Sequence, residues 1–396
     1  MRIGIYLENY DAGGVETVIA NLVTHWPVRN DEFVLVSNKE AEGVAMILKE
    51  RLSQSFKKAQ SDIISLPSLH ERFPKFQFFI KAFGYYGRYL LILFNAFRLK
   101  RLFEGLKLDS IMIHNGGYPG AFSAVSAVIA ARLCGIRKSL FVIHNLPQKI
   151  HLLHYPFDYV YDILVQKYSR PVCVSEKAAF QMQELRHFTK MPDVIHNGVV
   201  DRFTKSELSN RAVAGRFNIA VVGRLSSEKG HRFLFDAISK IKEQREDGWG
   251  GLLHVFGKGT EKQERDLKKI VVDLKLDEDI VFHGFVREMP KAIEGFDLLV
   301  LSSFEVESLP MVILEAMSLS IPVVATDIGG VCEIIEDGVS GLVVATRDPD
   351  ALCRAILRLM DDSTLRARIS KNGRQRFISE FTAAKMAHKY KDLLCE

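Results

Sequence analysis

Residues 297–317 have the sequence DLLVLSSFEVESLPMVILEAM, in which an apolar run is followed by a polar turn and a helical pattern. The run from Leu298 to Leu301 is typical of a buried strand in a parallel sheet. Ser308 has the side chain of a helix N-cap, and Pro310 falls in a first turn, where its missing N–H costs nothing. The stretch therefore predicts a strand-to-helix corner, with a helix that ends near Ser318.

Two carboxylates bracket this corner. Glu307 precedes the predicted helix, and Glu315 lies about six residues into it, roughly 9 Å along the axis. Free backbone N–H groups and the helix dipole favour an anion beside them. Both could be solvated surface carboxylates, but Glu315 has apolar neighbours, among which a carboxylate needs a partner. The spacing suits a ligand with hydroxyls at both ends and a diphosphate between them, such as a nucleotide sugar.

The composition is that of an ordinary globular protein, with 47% hydrophobic and 26% charged residues. A length of 396 residues favours two domains over one core. The formal charge of +5 is too small to indicate nucleic acid. The five cysteines include no CxxC pair, which predicts neither a disulfide framework nor a zinc site and favours a reducing compartment. No signal peptide is recognised, so we expect a cytoplasmic protein.

Short apolar runs alternate with helical patterns along both halves of the chain. This alternation predicts an α/β protein with two doubly wound parallel sheets. We expect a first domain over 1–205 and a second over 216–376, joined by polar residues without periodicity. A final amphipathic helix is predicted within 377–396. In such sheets ligands bind beyond the carboxyl ends of the strands.

Polar residues and glycines follow several predicted strands of the first domain. Gly13 and Gly14 lie at a strand-to-helix turn, where they let the backbone approach a ligand or simply make the turn. His-Asn pairs end three further strands, at His114-Asn115, His144-Asn145 and His196-Asn197. One such pair is ordinarily a satisfied cap, whereas three in one half of the chain favour the lining of a binding site.

The segment from Arg72 to Phe103 holds eleven Phe or Tyr residues and seven Lys or Arg residues, with no acid among them. Lys81 and Arg88 interrupt any apolar window long enough to span a bilayer. A basic, aromatic helix can lie in a membrane interface, so we expect contact with an anionic membrane or a lipid-linked substrate through 72–101. The alternatives are helices packed on the sheet with a basic outer face, or a dimer contact.

The first strand of the second domain leads into the loop GRLSSEKG, residues 223–230. Gly223 permits close backbone approach to a ligand. Arg224 and Lys229 place two positive charges beside the start of a helix, as a diphosphate leaving group requires. Glu228 could instead neutralise either cation in an ordinary surface loop.

In combination these motifs resemble the retaining glycosyltransferases of family 4, whose GT-B fold has two Rossmann-like doubly wound domains facing a central cleft. The matching motifs are Gly223-Arg224 with Lys229-Gly230, Glu307 with Glu315, Asp327-Ile328-Gly329-Gly330 with Glu333, and Asn197-Gly198-Val199. The resemblance covers most of residues 160–390, and the N-terminal half matches only through Gly13-Gly14 and His144. Many relatives have Glu-Gly where this chain has Glu307-Ser308. Glu305 is a second acid nearby, so the choice of Glu307 rests on its spacing to Glu315.

The resemblance implies a donor site in the second domain and a role for each matching residue. Arg224 and Lys229 would hold the donor diphosphate, together with the backbone of Gly223. Glu315 would bind the ribose hydroxyls, and Glu307 would bind the transferred sugar. The remaining donor contacts would be the backbone N–H groups of Ser308 and Leu309, and a base pocket formed by Phe285, Val286 and Gly257.

The resemblance also implies roles for residues of the first domain. His144 would lie near the reacting sugar, and Gly13-Gly14 would approach the donor phosphates or the acceptor. From their places at strand ends, rather than from the resemblance, we expect Asn115, His144 and Asn145 to contact the acceptor. The final helix, 377–396, would cross back to this domain.

We therefore expect a metal-independent, retaining glycosyltransferase that moves a sugar from a nucleotide-diphosphate sugar to an acceptor hydroxyl. The basic aromatic segment favours a lipid-linked or membrane-proximal glycan acceptor, as in polysaccharide or lipopolysaccharide assembly, and a peripheral place on the inner face of the cytoplasmic membrane. The alternatives are a small soluble acceptor and a non-catalytic scaffold that binds nucleotide sugar. No cofactor is expected, because fixed cations neutralise the leaving group. Asp277-Glu278-Asp279 fits a metal-binding Asp-X-Asp motif, but its place between a helix and a strand favours a turn.

Overall fold

A computed structural model describes residues 1–7, 14–38, 56–61, 77–120, 122–150, 155–202, 215–245, 249–305 and 307–396. The chain divides into two compact units. Unit 1 comprises Met1–Asn197 and Ala383–Glu396, and unit 2 comprises Gly198–Thr382. Gly13 and the first residues of the basic aromatic segment, 72–76, lie outside the described residues.

Unit 1 is built on a seven-stranded parallel sheet with the order β3-β2-β1-β4-β5-β6-β7. Its central strands are apolar and buried on both faces, as expected where helices cover a parallel sheet. The strands are β1 Arg2–Leu7, β2 Glu32–Asn38, β3 Phe56–Ser61, β4 Ser110–Asn115, β5 Lys138–Ile143, β6 Arg170–Cys173 and β7 Asp193–Val194. Sequence analysis missed β3, because its sequence FKKAQS lacks the apolar run of a central strand.

Helices of unit 1 alternate with these strands. They are α1 Gly14–Thr24, α2 Gln77–Leu106, α3 Phe122–Leu133, α4 Tyr155–Tyr168 and α5 Glu176–Leu185. Both α2 and α4 pack against α3. The core around them includes Phe103, Tyr118 and Phe141. Among the described residues, no helix is long and apolar enough to cross a bilayer.

Unit 2 repeats this design with a six-stranded parallel sheet of order β10-β9-β8-β11-β12-β13. The strands are β8 Phe217–Val222, β9 Gly251–Phe256, β10 Ile280–Gly284, β11 Leu298–Leu301, β12 Val323–Thr326 and β13 Leu342–Val344. The helices are α6 His231–Glu243, α7 Glu261–Asp273, α8 Met289–Ile293, α9 Met311–Ser318, α10 Val331–Ile334, α11 Pro349–Asp361 and α12 Ser363–Glu380. The prediction of two doubly wound α/β sheets is confirmed.

The last helix, α13 Ala383–Cys395, belongs to unit 1 and packs against α1 and β5. Sequence analysis predicts one helix through this region, but the structure has a break between α12 and α13. The break occurs because the backbone pairs elsewhere. The Phe381 carbonyl accepts a 3.0 Å hydrogen bond from the Val199 N–H, and Thr382 forms an isolated bridge with Val199.

In both sheets the strand order reverses beside the first strand. In unit 1, β1 lies between β2 and β4, and in unit 2, β8 lies between β9 and β11. Because the chain leaves such neighbouring strands in opposite directions, a crevice opens beyond their carboxyl ends, where ligands of doubly wound sheets bind. The loops that follow β8 and β11 are therefore the place to look for a donor site.

Candidate functional site

The predicted strand-to-helix corner is present between β11 and α9, and it lies at the switch point of unit 2. The helix begins later than expected, at Met311, and its N-cap residue is Pro310. The prediction that Ser308 caps the helix is therefore wrong. Ser308 is buried in the turn before it, where its carbonyl accepts a 2.8 Å hydrogen bond from the N–H of Gly330.

An ion pair joins the two loops that leave β8 and β11. The Lys229 ammonium lies 2.5 Å from Glu307 Oε1, and both side chains are largely buried. The Ser303 hydroxyl donates a 2.7 Å hydrogen bond to the same oxygen. The structure thus brings together the predicted diphosphate-binding lysine and the predicted sugar-binding glutamate. Ser303 is a member of this cluster that sequence analysis missed.

Glu305, the other acid in this turn, has a different environment. It is 55% exposed and pairs with the Arg347 guanidinium at 3.1 Å. Glu307 is only 9% exposed. The choice of Glu307 over Glu305, which rests on the spacing to Glu315, therefore falls on the buried carboxylate of the corner.

Three glycines let backbone segments approach closely around this ion pair. A Cβ added to Gly329 would lie 1.7 Å from the Glu307 carbonyl oxygen, and one added to Gly230 would lie 2.0 Å from that of Ser302. At Gly257 the same atom would lie 1.8 Å from the Gly223 carbonyl. All three have positive φ angles, which only glycine adopts readily. The loops of the site are therefore packed backbone against backbone.

Arg224 lies in the same loop as Lys229 and remains 74% exposed. Its guanidinium is 3.4 Å from Glu228, whose carboxylate also accepts a 2.6 Å hydrogen bond from Ser226. Burial opposes ionisation of Glu228, but the hydrogen bond from Ser226 and the charges of Arg224 and Lys229 outweigh it, so the pKa of Glu228 is lowered. Glu228 thus neutralises Arg224 only in part, since that pair is long and exposed.

The other predicted donor residues lie around this corner or at the edge of the sheet beside it. Glu315 is half-buried on α9, and Leu309 is buried before it. Phe285 and Val286 follow β10, where Phe285 is 67% exposed. The N–H of Gly257 donates a 2.8 Å hydrogen bond to the Gly284 carbonyl, which joins the ends of β9 and β10.

A histidine pair on β9 and β10 lies beside this predicted base pocket. His254 Nδ1 is 2.9 Å from His283 Nε2, and Phe256 stacks on His283 with ring centroids 4.5 Å apart. Desolvation, with His283 nearby, lowers the pKa of His254 to about 4. Both rings are therefore neutral at pH 7. Sequence analysis missed this pair, because only the register of β9 with β10 brings the two rings together.

A second histidine pair lies at the carboxyl ends of β4 and β5 in unit 1. His114 Nδ1 is 2.8 Å from His144 Nε2, and the rings stack with centroids 5.1 Å apart. Desolvation lowers the pKa of His144 to about 4, and desolvation together with His144 lowers the pKa of His114 well below its usual value. His144 thus offers a hydrogen bond rather than a charge at neutral pH.

The predicted residues around His144 are partly assembled. Asn115 is buried, and its side-chain oxygen accepts a 2.9 Å hydrogen bond from the Gly117 N–H. Among the described residues, neither Asn115 Nδ2 nor His114 Nε2 has a hydrogen-bond partner, although both atoms are buried. Asn145 is half-buried after β5, and Gly14 is the exposed first residue of α1. Unpaired buried donors at this edge are suited to a polar ligand.

The Asp-X-Asp sequence at 277–279 has a structural role. Asp279 accepts hydrogen bonds from Trp249 Nε1 at 2.9 Å and from Lys242 Nζ at 2.7 Å. These bonds join three segments of unit 2. Within the described ranges, no cluster of three or more His, Cys, Asp or Glu side chains is placed to hold a metal ion.

Comparison with known families accounts for both units. Residues 12–202 match the family described as Glycosyltransferase Family 4, and residues 216–362 match Glycosyl transferases group 1. The Anabaena protein HepE, solved in complex with UDP, superimposes with a TM-score of 0.77 over 100% of both chains at 19% identity. The chain belongs to the family 4 glycosyltransferases and has their GT-B fold.

Relatives of known activity match parts of the chain. The α-D-kanosaminyltransferase of Streptomyces kanamyceticus is 33% identical over 156 residues, which cover 39% of each protein. The UDP-Gal:α-D-GlcNAc-diphosphoundecaprenol α-1,3-galactosyltransferase of Escherichia coli is 25% identical over 308 residues, which cover 74% of this chain and 77% of the relative. The chain thus spans about two fifths of the first relative and about three quarters of the second.

The close backbone packing of Gly329 against Glu307 can be tested by substitution. We expect Gly329→Ala to lower the free energy of unfolding of unit 2 by about 3–5 kcal/mol, because the new Cβ meets a backbone oxygen that side-chain rotation cannot move. Gly338→Ala is the matched control, since Gly338 has a similar positive φ but open space around it. Its cost should be only the left-handed strain, about 1–2 kcal/mol. Equal losses in urea unfolding would contradict this account.

Proposed function

We propose that this chain is a retaining, metal-independent glycosyltransferase that moves a sugar from a nucleotide-diphosphate sugar to an acceptor hydroxyl. The observation that carries the proposal is the contact between Lys229 and Glu307 at the switch point of unit 2. It supports the proposal because Lys229, the proposed cation for the diphosphate, and Glu307, the proposed carboxylate for sugar hydroxyls, are neighbours in one hydrogen bond.

The diphosphate is proposed to bind between Arg224 and Lys229. In the ligand-free state both cations already have carboxylate partners, Glu228 and Glu307. A diphosphate carries more charge than either carboxylate, so it competes for both cations and stabilises the negative charge that develops when the sugar leaves. Glu307 is thereby released to accept hydrogen bonds from the sugar, while Ser303 keeps its side chain oriented.

Retention and independence from metal follow from these roles. The leaving phosphate remains beside the anomeric carbon and assists deprotonation of the acceptor on the same face of the sugar. His144, which stays neutral at pH 7 because desolvation lowers its pKa, contributes a hydrogen bond to the sugar or acceptor without competing for the phosphate. Arg224 and Lys229 supply the positive charge that a divalent cation supplies elsewhere. The anomeric configuration of the product, read by NMR, tests retention.

The acceptor is proposed to be a membrane-proximal or lipid-linked glycan. The E. coli relative is named for transfer to a diphosphoundecaprenol-linked sugar. In this chain, the C-terminal part of α2 exposes three apolar side chains, with Leu93 at 55%, Phe94 at 50% and Phe97 at 61%. Arg98 stacks over Phe94 at 5.6 Å, and Arg101 is exposed. An apolar face bordered by arginines is typical of helices in a membrane interface.

A binding screen tests the donor site. We expect one of UDP, GDP, ADP and dTDP, or its sugar conjugate, to bind by calorimetry with equal affinity in magnesium and in EDTA. Lys229→Ala should weaken binding roughly 10–100-fold through loss of a charge-assisted bond, and Glu315→Ala should weaken it through loss of the ribose contact. Asp266→Ala, at an exposed acid of unit 2, is the control. Folded protein that binds none of these nucleotides would refute the proposal.

Vesicle sedimentation tests the membrane contact. Replacing Leu93, Phe94 and Phe97 together by Ser should reduce binding to vesicles of phosphatidylglycerol and phosphatidylcholine by at least tenfold, because burial of each side chain contributes about 1.5–3 kcal/mol at most. The control variant replaces Tyr159, Val160 and Ile163 together by Ser. These three residues are exposed on α4. Equal effects of the two triple variants would show that α2 has no special part in membrane binding.

A further inference from the structure

A basic cavity lies in unit 1 at the amino-terminal edge of its sheet, opposite to the edge where His144 lies. Its volume is approximately 610 Å³. The cavity is formed where β5 and β6 begin and where α3, α4 and α13 end, and Glu396 also lines it. Its polar lining includes Arg132, Arg137, Lys138, Lys167, Arg170 and Ser139.

Most of this positive charge has no carboxylate partner. Arg170 is neutralised, since it pairs with Asp193 at 2.7 Å and with Glu396 at 2.5 Å. Lys138 donates a 3.2 Å hydrogen bond to the Cys395 carbonyl, which leaves its charge unmatched. Arg132 and Lys167 contact only the ring of Tyr168, and Arg137 has no partner within the described part of the chain.

Helix ends account for three of these cations. Arg132 and Lys167 lie in the last turns of α3 and α4, and Lys138 contacts the carbonyl of Cys395, the last residue of α13; a positive charge stabilises each of these helix ends. Arg137 precedes β5 and does not lie on a helix. All four cations line one cavity.

The four cations without a carboxylate partner are exposed, so a ligand can reach them. Guanidinium and ammonium groups that line one cavity are the chemistry that recognises phosphate oxygens. Ser139 also lines the cavity, but its hydroxyl is buried and has no hydrogen-bond partner among the described residues.

We propose that this cavity is a second anion site, which binds a phosphate group carried by a small soluble molecule or by a lipid head group. The cavity lies at the other edge of the sheet from His114, Asn115 and His144, so this site is separate from the proposed acceptor contacts. The proposal does not depend on the activity proposed above, because no residue of the cavity takes part in that activity.

The first arm of the test uses inorganic pyrophosphate and calorimetry. It is performed on Lys229→Ala protein, so that the proposed donor site contributes little to the signal. Replacing Arg137 and Lys138 by Gln should weaken pyrophosphate binding at least tenfold. Replacing Arg29 and Lys190 by Gln removes the same charge from exposed positions elsewhere in unit 1 and should change binding less than twofold.

The second arm uses vesicles of phosphatidylcholine with and without phosphatidylglycerol, and the same pair of double variants. Cavity-dependent binding of pyrophosphate identifies a soluble phosphate compound as a ligand. Cavity-dependent binding of the anionic vesicles alone identifies a lipid head group. Either result supports the anion site. Binding in neither arm, or equal losses in the cavity and control variants, would overturn it.

Discussion

The ion pair between Lys229 and Glu307 is the interaction on which the candidate donor site depends. It joins the loop after β8 to the loop after β11. The Ser303 hydroxyl donates a hydrogen bond to the Glu307 carboxylate and so fixes its orientation. Removing two charges from water is costly, and such a pair is often no more stable than apolar residues in its place. We propose that its value in this chain is functional, in keeping a cation and a carboxylate in place until a ligand takes over both.

The backbone around this pair limits how far its members can move. Gly329 packs on the Glu307 carbonyl, Gly230 packs on that of Ser302, and Gly257 packs on that of Gly223. Each contact excludes any side chain and holds two loops at backbone distance. A site made in this way is arranged before the ligand binds, which reduces the ordering that binding must impose. The histidine pair of unit 1 is also arranged before a ligand binds. Its two rings are stacked, and burial keeps both of them neutral.

Sequence patterns predicted the parts of this structure that local composition controls. The run from Leu298 to Leu301 predicted β11, and the order of polar and apolar residues after it predicted the corner with Glu307. The cap at Ser308 was predicted wrongly, because the chain bends at Ser308 and Leu309 and the helix begins only at Met311, with Pro310 as its N-cap. The break between α12 and α13 could not be predicted, since it depends on pairing with Val199, far away in the sequence.

Contacts between distant residues were likewise beyond the reach of sequence patterns. His114 and His144 were each recognised at a strand end, but their contact depends on the register of β4 with β5. No sequence motif marks Ser303, and its role is visible only from the hydrogen bond that its hydroxyl donates to Glu307. The basic cavity draws its lining from five separate elements, so its charges look like scattered surface residues in the sequence.

The most direct test of this account is the affinity of Glu307→Gln for the nucleoside diphosphate, without its sugar, that the wild-type chain binds. Because Glu307 neutralises Lys229 in the ligand-free state, the substitution frees the lysine for the diphosphate. We expect affinity to rise about three- to tenfold, a gain of about 1 kcal/mol. Glu305→Gln, which removes an exposed acid from the same turn, should leave affinity unchanged. A loss of affinity in Glu307→Gln would contradict the claim that Glu307 and the diphosphate compete for Lys229.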